Sequence, residues 1–161
     1  MATDIYTNEL LDKQHSLRYI MILAKNVVGI LNRIASLMRR KRYNMEEVSV
    51  SFDNNNRAHI LLAVDGRLID VQHLINLFMK LHDVFEAYDA TFQNEKLYNA
   101  FYVLEKNEKS FKEYPKDTVR IVKVNGSYKG IFMVPLEETT EFLKFLRSRG
   151  SDYEHRLLSL I

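Results

Sequence analysis

Chemistry needs particular residue types held close together, and this chain offers few such groupings. Its five histidines, His15, His59, His73, His82 and His155, are scattered along 161 residues. No HExxH pairing, glycine-rich phosphate loop or nucleophile motif occurs, and Asp70 with His73 is too common a spacing to mark a metal site. No catalytic and no metal-ligating residue is therefore expected. One dense basic run, Arg39-Arg40-Lys41-Arg42, closes an apolar-periodic segment, where cations complement the unpaired carbonyls of a helix C-terminus. It reads as a solvated helix end. The remaining candidate is the stretch Asn26-Val27-Val28-Gly29. Placed between a strand and a helix, it presents backbone N–H groups at a helix N-terminus, where partial positive charge favours a carboxylate. Gly29 leaves room for close approach to that backbone, and the Asn26 amide both donates and accepts. On spacing alone, an ordinary capped helix entered through a tight turn is the better reading of these residues.

Composition limits the classes open to the chain. With 23 Lys and Arg against 21 Asp and Glu the formal net charge is +2, so bulk charge gives no argument for nucleic acid. Cysteine is absent, which removes disulfides and thiolate metal sites and fits a reducing, cytoplasmic setting. No run approaches the roughly 20 apolar residues that a bilayer span needs. The 47% hydrophobic content is sufficient for a core, in one domain or in two small ones.

The elements that must position the candidate loop follow from periodicity. Leu17 to Ala24 is a nearly continuous apolar run, too short for a core helix, and reads as a buried central strand. Ile30, Leu31, Ile34, Ala35, Leu37 and Met38 recur at three- and four-residue spacing and make an amphipathic helix. Val48 to Phe52 alternates with period two, Asp53-Asn54-Asn55-Asn56 supplies turn chemistry, and Arg57 to Val64 resumes an apolar strand, giving a hairpin. A second helical stripe comprises Leu68, Val71, Leu74, Ile75, Phe78 and Leu81, and Val84 to Phe92 returns as a strand. The order βαββαβ yields a four-stranded antiparallel sheet with both helices on one face. The other face, carrying Tyr19, Met21 and Leu61, is expected to be uncovered, and pairing between chains is the usual remedy. A homodimer is expected on that ground.

The second half repeats the theme in shortened form. Leu97 to Leu104 suits a strand or a helix, and Lys106 to Pro115 is too short and polar for a full first helix. Thr118 to Val124, Asn125-Gly126 and Tyr128 to Val134 make a strong hairpin signal. Leu136 to Leu146 forms a helix entered after Pro135 and ended by Gly150, and Tyr153 to Ile161 is the last strand. The fold class is α+β: residues 1–16 an N-terminal extension, 17–93 a ferredoxin-like unit, and 94–161 a degenerate second one. The topology is shared with RNA-recognition domains, but those stack bases on paired aromatics of the central strands, and Tyr19 alone is weak support.

The segment Leu23 to Val48, LAKNVVGILNRIASLMRRKRYNMEEV, resembles the opening of the ACT domain in small subunits of acetolactate (acetohydroxyacid) synthase. The family pattern is matched at Asn26, Gly29, Leu31, Arg33, Ile34, Ala35, Leu37, Arg40, Tyr43, Asn44 and Glu46, with close replacements at Ile30, Lys41 and Met45. The resemblance continues more loosely through Arg57 and through HLINLFMKLHDVFEAYDAT. It implies a non-catalytic regulatory subunit whose partners are the large catalytic subunit and a branched-chain amino acid such as valine. The effector would sit at a dimer interface on Asn26, Val28, Gly29, Ile30 and Leu31, with Asn44 from a second chain. No cofactor belongs to this chain, since thiamine diphosphate would belong to the catalytic partner, and neither nucleic acid nor membrane is implied. A stand-alone ACT-type sensor, or a scaffold subunit without effector binding, is the alternative. Two departures bear on that choice: Val28 stands where the family has Pro, and Arg42 where it has Gly.

Overall fold

The computed structural model describes residues 5–93 and 96–160; residues 1–4 of the expected extension, and 94, 95 and 161 of the second unit, lie outside them. The chain divides into two compact units, one ending at Phe92 and one starting at Gln93. In the first, helix α1 (Ile5–Ser16) precedes β1 (Leu17–Lys25), α2 (Ile30–Lys41), β2 (Glu47–Phe52), β3 (Arg57–Asp65), α3 (Val71–Met79) and β4 (Val84–Asp89). The strands form one antiparallel sheet in the order β2-β3-β1-β4. The first strand in sequence is thus central. That explains its unbroken apolar run, because both of its faces are buried.

Alternation assigns those faces. Ile20, Ile22 and Ala24 of β1 join Ala58, Ile60, Leu62 and Val64 of β3 in a core with Ile30, Ile34, Leu37 and Met38 of α2 and Leu74, Ile75 and Phe78 of α3. Tyr19, Met21 and Leu61 lie on the other face, yet they are only 2%, 1% and 2% exposed. The expectation that they form an uncovered face is thereby corrected. Part of the reason lies in the polar N-terminal segment, which folds as α1. Gln14 donates to the Tyr19 hydroxyl at 3.4 Å, and Lys13 pairs with Glu46 at 2.5 Å.

Two boundaries also differ from expectation. The second helix starts at Val71, not Leu68, because Asp70 accepts from the His73 N–H at 3.0 Å and caps it. Leu68 is left 78% exposed. The Asp70 and His73 pair is therefore a helix cap. The returning strand ends at Asp89, where Thr91 bonds the Tyr19 N–H, and Phe92 is exposed beneath the Arg18 guanidinium.

The second unit has the same topology. Strands β5 (Leu97–Glu105), β6 (Arg120–Val124), β7 (Ser127–Pro135) and β8 (Asp152–Ser159), with helix α4 (Thr139–Arg149), give the order β6-β7-β5-β8, again antiparallel. Leu97 to Leu104, ambiguous in sequence, is strand: Leu97, Asn99, Phe101 and Val103 are all buried at period two. The β6–β7 turn is the expected tight hairpin, with Asn125 at φ 49° and Gly126 at φ 81°.

A full first helix is absent here, as expected, and a six-residue 3₁₀ segment, Glu108–Glu113, stands in its place. Its core contribution is Phe111, only 5% exposed. The ring lies directly on Gly130 of β7, so closely that a Cβ there would meet Phe111 Cε1 at 2.5 Å. Tyr114, Phe132, Phe142 and Phe145 continue an aromatic core, with the Tyr114 and Phe132 rings stacked at 5.1 Å and Phe101 and Phe142 at 4.9 Å. A single aromatic seated on a glycine thus replaces an amphipathic helix. Among the described residues no helix is long and apolar enough to cross a membrane.

Candidate functional site

Chain reversal between β1 and α2 is fixed by backbone bonds alone. Lys25 N–H donates to Asp83 O at 2.8 Å, Asn26 N–H to Asn56 O at 2.9 Å, and Val27 N–H to Lys25 O at 2.9 Å. The loop is therefore anchored to the α3–β4 turn on one side and the β2–β3 turn on the other. Gly29 then enters the helix at φ 87°, in the left-handed region where a side chain is strained. Ile30 N–H returns to Val27 O at 3.3 Å and Arg33 N–H to Gly29 O at 2.9 Å. No side chain caps this helix and no acidic residue lies in its first turn. Among the described residues nothing accepts from the Leu31 and Asn32 N–H groups. The positive end of the macrodipole is left open to an anion.

Beside it lies an open cleft of about 300 Å³. Asn26, Gly29, Ile30 and Leu31 line it, as do Val27 and Asn32, and the far wall is Val50 and Phe52 of β2 with Ala58 of β3. Polar donors at one end and apolar side chains at the other suit a small amphiphile with a carboxylate. Val28, by contrast, is fully exposed and does not line the cleft. Asn44 is also outside it, in the α2–β2 connection, where its Nδ2 donates to Glu46 at 3.1 Å. Four of the six sequence-derived positions are thus brought together within one chain. The hairpin wall was missed, although the period-two pattern Val48-Val50-Phe52 already placed Val50 and Phe52 on one face.

Flanking charges hold the frame. Arg33 pairs with Asp83 at 2.9 Å, and this hydrogen bond holds the Asp83 carboxyl below the ordinary carboxylate range. Asp53 is likewise lowered, chiefly by its 3.0 Å bond to His59, and it also accepts from the Asn55 and Arg57 N–H groups to close the β2–β3 turn. Tyr43 packs against the core. Its N–H reaches Met38 O at 2.9 Å across Arg42, which adopts the left-handed conformation at φ 58°. The basic run therefore ends the helix, with Arg42 doing so in a conformation that favours glycine.

A larger cleft, about 700 Å³, lies in the second unit against Glu105, Asn107, Arg149 and Ser151. Two of its charged groups, Glu105 and Arg149, are already paired. Arg149 bonds Glu105 at 2.8 Å and Glu113 at 2.5 Å, and Tyr114, pushed up to about 12 by burial and by Glu105, donates to that carboxylate at 2.6 Å. The smaller cleft differs in opening on the uncapped N-terminus of a helix. No cluster of three or more potential metal ligands occurs among the described residues.

Residues 20–86 match the model of the "AHAS small subunit-like ACT domain", a span running from β1 into β4. In structure the chain is similar to the acetolactate synthase small subunit from Thermotoga maritima, with 12% identity, 89% of this chain and 96% of that one covered, and a TM-score of 0.65. It is also similar to the regulatory subunit of aspartate kinase from Thermus thermophilus, with 10% identity, 82% and 91% covered and a TM-score of 0.46. No curated protein matches the chain in sequence.

Proposed function

We propose, from the premise that residues 20–86 are an ACT domain of the acetohydroxyacid synthase small-subunit type, that this chain is the regulatory subunit of an acetolactate synthase. It binds and activates the large, thiamine-diphosphate-dependent catalytic subunit and lets a branched-chain amino acid such as valine turn that activity down, in the cytoplasm. The observation that carries the reading is the uncapped, glycine-entered N-terminus of α2, opening on an apolar-walled cleft inside the matched segment. The effector carboxylate docks on the Leu31 and Asn32 N–H groups, the Asn26 amide takes a polar end, and the branched side chain lies against Val50 and Phe52. Asn44, outside the cleft of its own chain, contributes from a second copy in a homodimer. Regulation then needs only linkage: an effector that binds one state of the assembly better shifts activity by a coupling of about 1–3 kcal/mol.

The test is a pull-down of the catalytic subunit followed by an acetolactate-forming assay with and without valine. Calorimetric titration of valine into Gly29→Asp and Gly29→Asn accompanies it. The two replacements are nearly isosteric and both tolerate a left-handed backbone better than most residues, so strain is matched and charge alone differs. Asp should abolish binding while Asn weakens it only modestly. Equal affinity of both variants and the wild type would place the site elsewhere. The scaffold reading draws on Val28, fully exposed and lacking proline's fixed φ at the helix entrance. Catalytic-subunit activation without valine binding to the wild type would establish it.

A further inference from the structure

The second unit's sheet has a bare face. Helix α4 and the 3₁₀ segment pack on the side of Phe101 and Phe132. The opposite side, which is buried in the first unit, here carries Leu104, Val122 and Val124 at 38%, 38% and 39% exposure. Register lays charge across this face in an ordered way. One row runs Arg120, Ile131, Tyr102, Glu154 from β6 to β8, and the next runs Val122, Lys129, Leu104, Asp152. In both rows the basic residue lies on the β6–β7 side, the acidic residue on β8, and apolar groups between them. Arg156, the one cation on the β8 side, is stacked on Tyr102 at 5.3 Å.

Such a face is complementary to itself. A two-fold axis parallel to the strands, set between β7 and β5, lays β6 of one copy over β8 of the other and keeps the rows in line. Arg120 then meets Glu154 of the second copy, Lys129 lies over its Leu104 and Val122 over its Asp152, and Tyr102, Leu104 and Ile131 bury one another, in the aligned packing usual for stacked sheets. We propose that this face is a self-association surface, joining two copies of the chain back to back through their second units. It is separate from any contact made by the first unit. Four strands about 4.8 Å apart and five residues long give a footprint of only roughly 300 Å² in plan, well below a standard interface, so the contact is weak and is best captured by cross-linking.

The absence of cysteine makes the test specific. Leu104→Cys places one thiol near the proposed axis, and a short bis-maleimide at about 50 µM protein should cross-link it to the same residue of a second copy. Adding Glu154→Arg should reduce the cross-linked yield at least fivefold, because Arg then faces Arg120. Adding Arg120→Glu to that variant should restore it, because the swap exchanges both partners at once. Circular dichroism establishes that each exposed-strand variant folds, and a variant that does not is replaced by the weaker pair Glu154→Gln and Arg120→Gln, each expected to lower the yield. No cross-link in Leu104→Cys, a yield indifferent to charge, or loss without rescue in the swap each overturns the proposal.

Discussion

Gly130→Ala tests whether one aromatic truly replaces a helix in the second unit. The new Cβ would lie 2.5, 2.8 and 2.9 Å from Phe111 Cε1, Cζ and Cδ1, whereas carbon atoms in contact rest at about 3.5–4.0 Å. The ring must retreat by about 1 Å. It has little room, being 5% exposed and enclosed by the Tyr114 and Phe132 rings at 5.6 and 6.1 Å between centroids. Overpacking of this kind costs about 1–3 kcal/mol. Reduced freedom of the unfolded chain returns about 0.4–1 kcal/mol of that, leaving a net loss of about 1–2 kcal/mol. Phe111→Ala alone removes a buried ring and should cost about 3–5 kcal/mol. In the double variant the added methyl has nothing to strike, so it should be no less stable than Phe111→Ala. The cycle, measured by urea unfolding followed by circular dichroism, should thus return a favourable coupling of at least about 1 kcal/mol. A Gly130→Ala change within 0.5 kcal/mol, or strict additivity, would refute the packing argument.

Arg42→Gly should stabilise the first unit by about 0.5–1 kcal/mol, since relief of about 1–2 kcal/mol of left-handed strain outweighs the extra entropy of an unfolded glycine; an unchanged or lower urea midpoint contradicts this. Asp65, 5% exposed at its side chain and held below the ordinary carboxylate range chiefly by its bond to Arg67, contributes stability that is full above the unfolded value of about 3.9 and is lost as pH falls through its lowered folded value. Asp65→Asn should therefore flatten the acid limb of midpoint against pH below about pH 4, and a parallel curve would argue that other groups set it. Arg67→Ala should lower the urea midpoint at neutral pH by leaving that carboxylate without its charged partner, and lower it less at pH 3; equal losses at both pH values would show that the pair is not responsible.

What was legible in the sequence was whatever repeats at a fixed period. The run Leu17 to Ala24 and the stripe Ile30 to Met38 announce their elements because one or both faces are buried, and the Asn-Gly hairpin does so through turn residues that accept a positive φ. Side chains whose role depends on a distant neighbour were not legible. Phe111 looked like part of a polar connection because its partner is the lack of a side chain at Gly130. Helix α1 has no apolar stripe to announce it, so the burial of Tyr19 and Met21 could not be foreseen. In the cleft, the loop was found from residue type and resemblance, whereas spacing put Val50 and Phe52 on one face without revealing that this face and Ala58 border the loop. Asn44 and Val28 were carried by resemblance, and the single chain holds neither in the cleft.

The central position of each unit's first strand has a consequence for the newborn chain. β1 is flanked by β3 and β4, both made later, and the hairpin β2–β3 is local while the β1–β4 pairing spans some sixty-odd residues, as in Ile20 with Asp89. From the moment it is made until β3 follows, LRYIMILAK is an extended apolar segment with both edges unpaired, the kind of sequence that recruits its like. Arg18 near one end and Lys25 at the other act as gatekeepers during that interval, repelling the same segment of neighbouring chains. Their later contacts, Arg18 with Asp89 and the Lys25 N–H with Asp83, form only when β4 arrives. Completion of the sheet thus converts the Arg18 guard against aggregation into a clasp on its last strand, while the Lys25 backbone ties down the turn that leads into it.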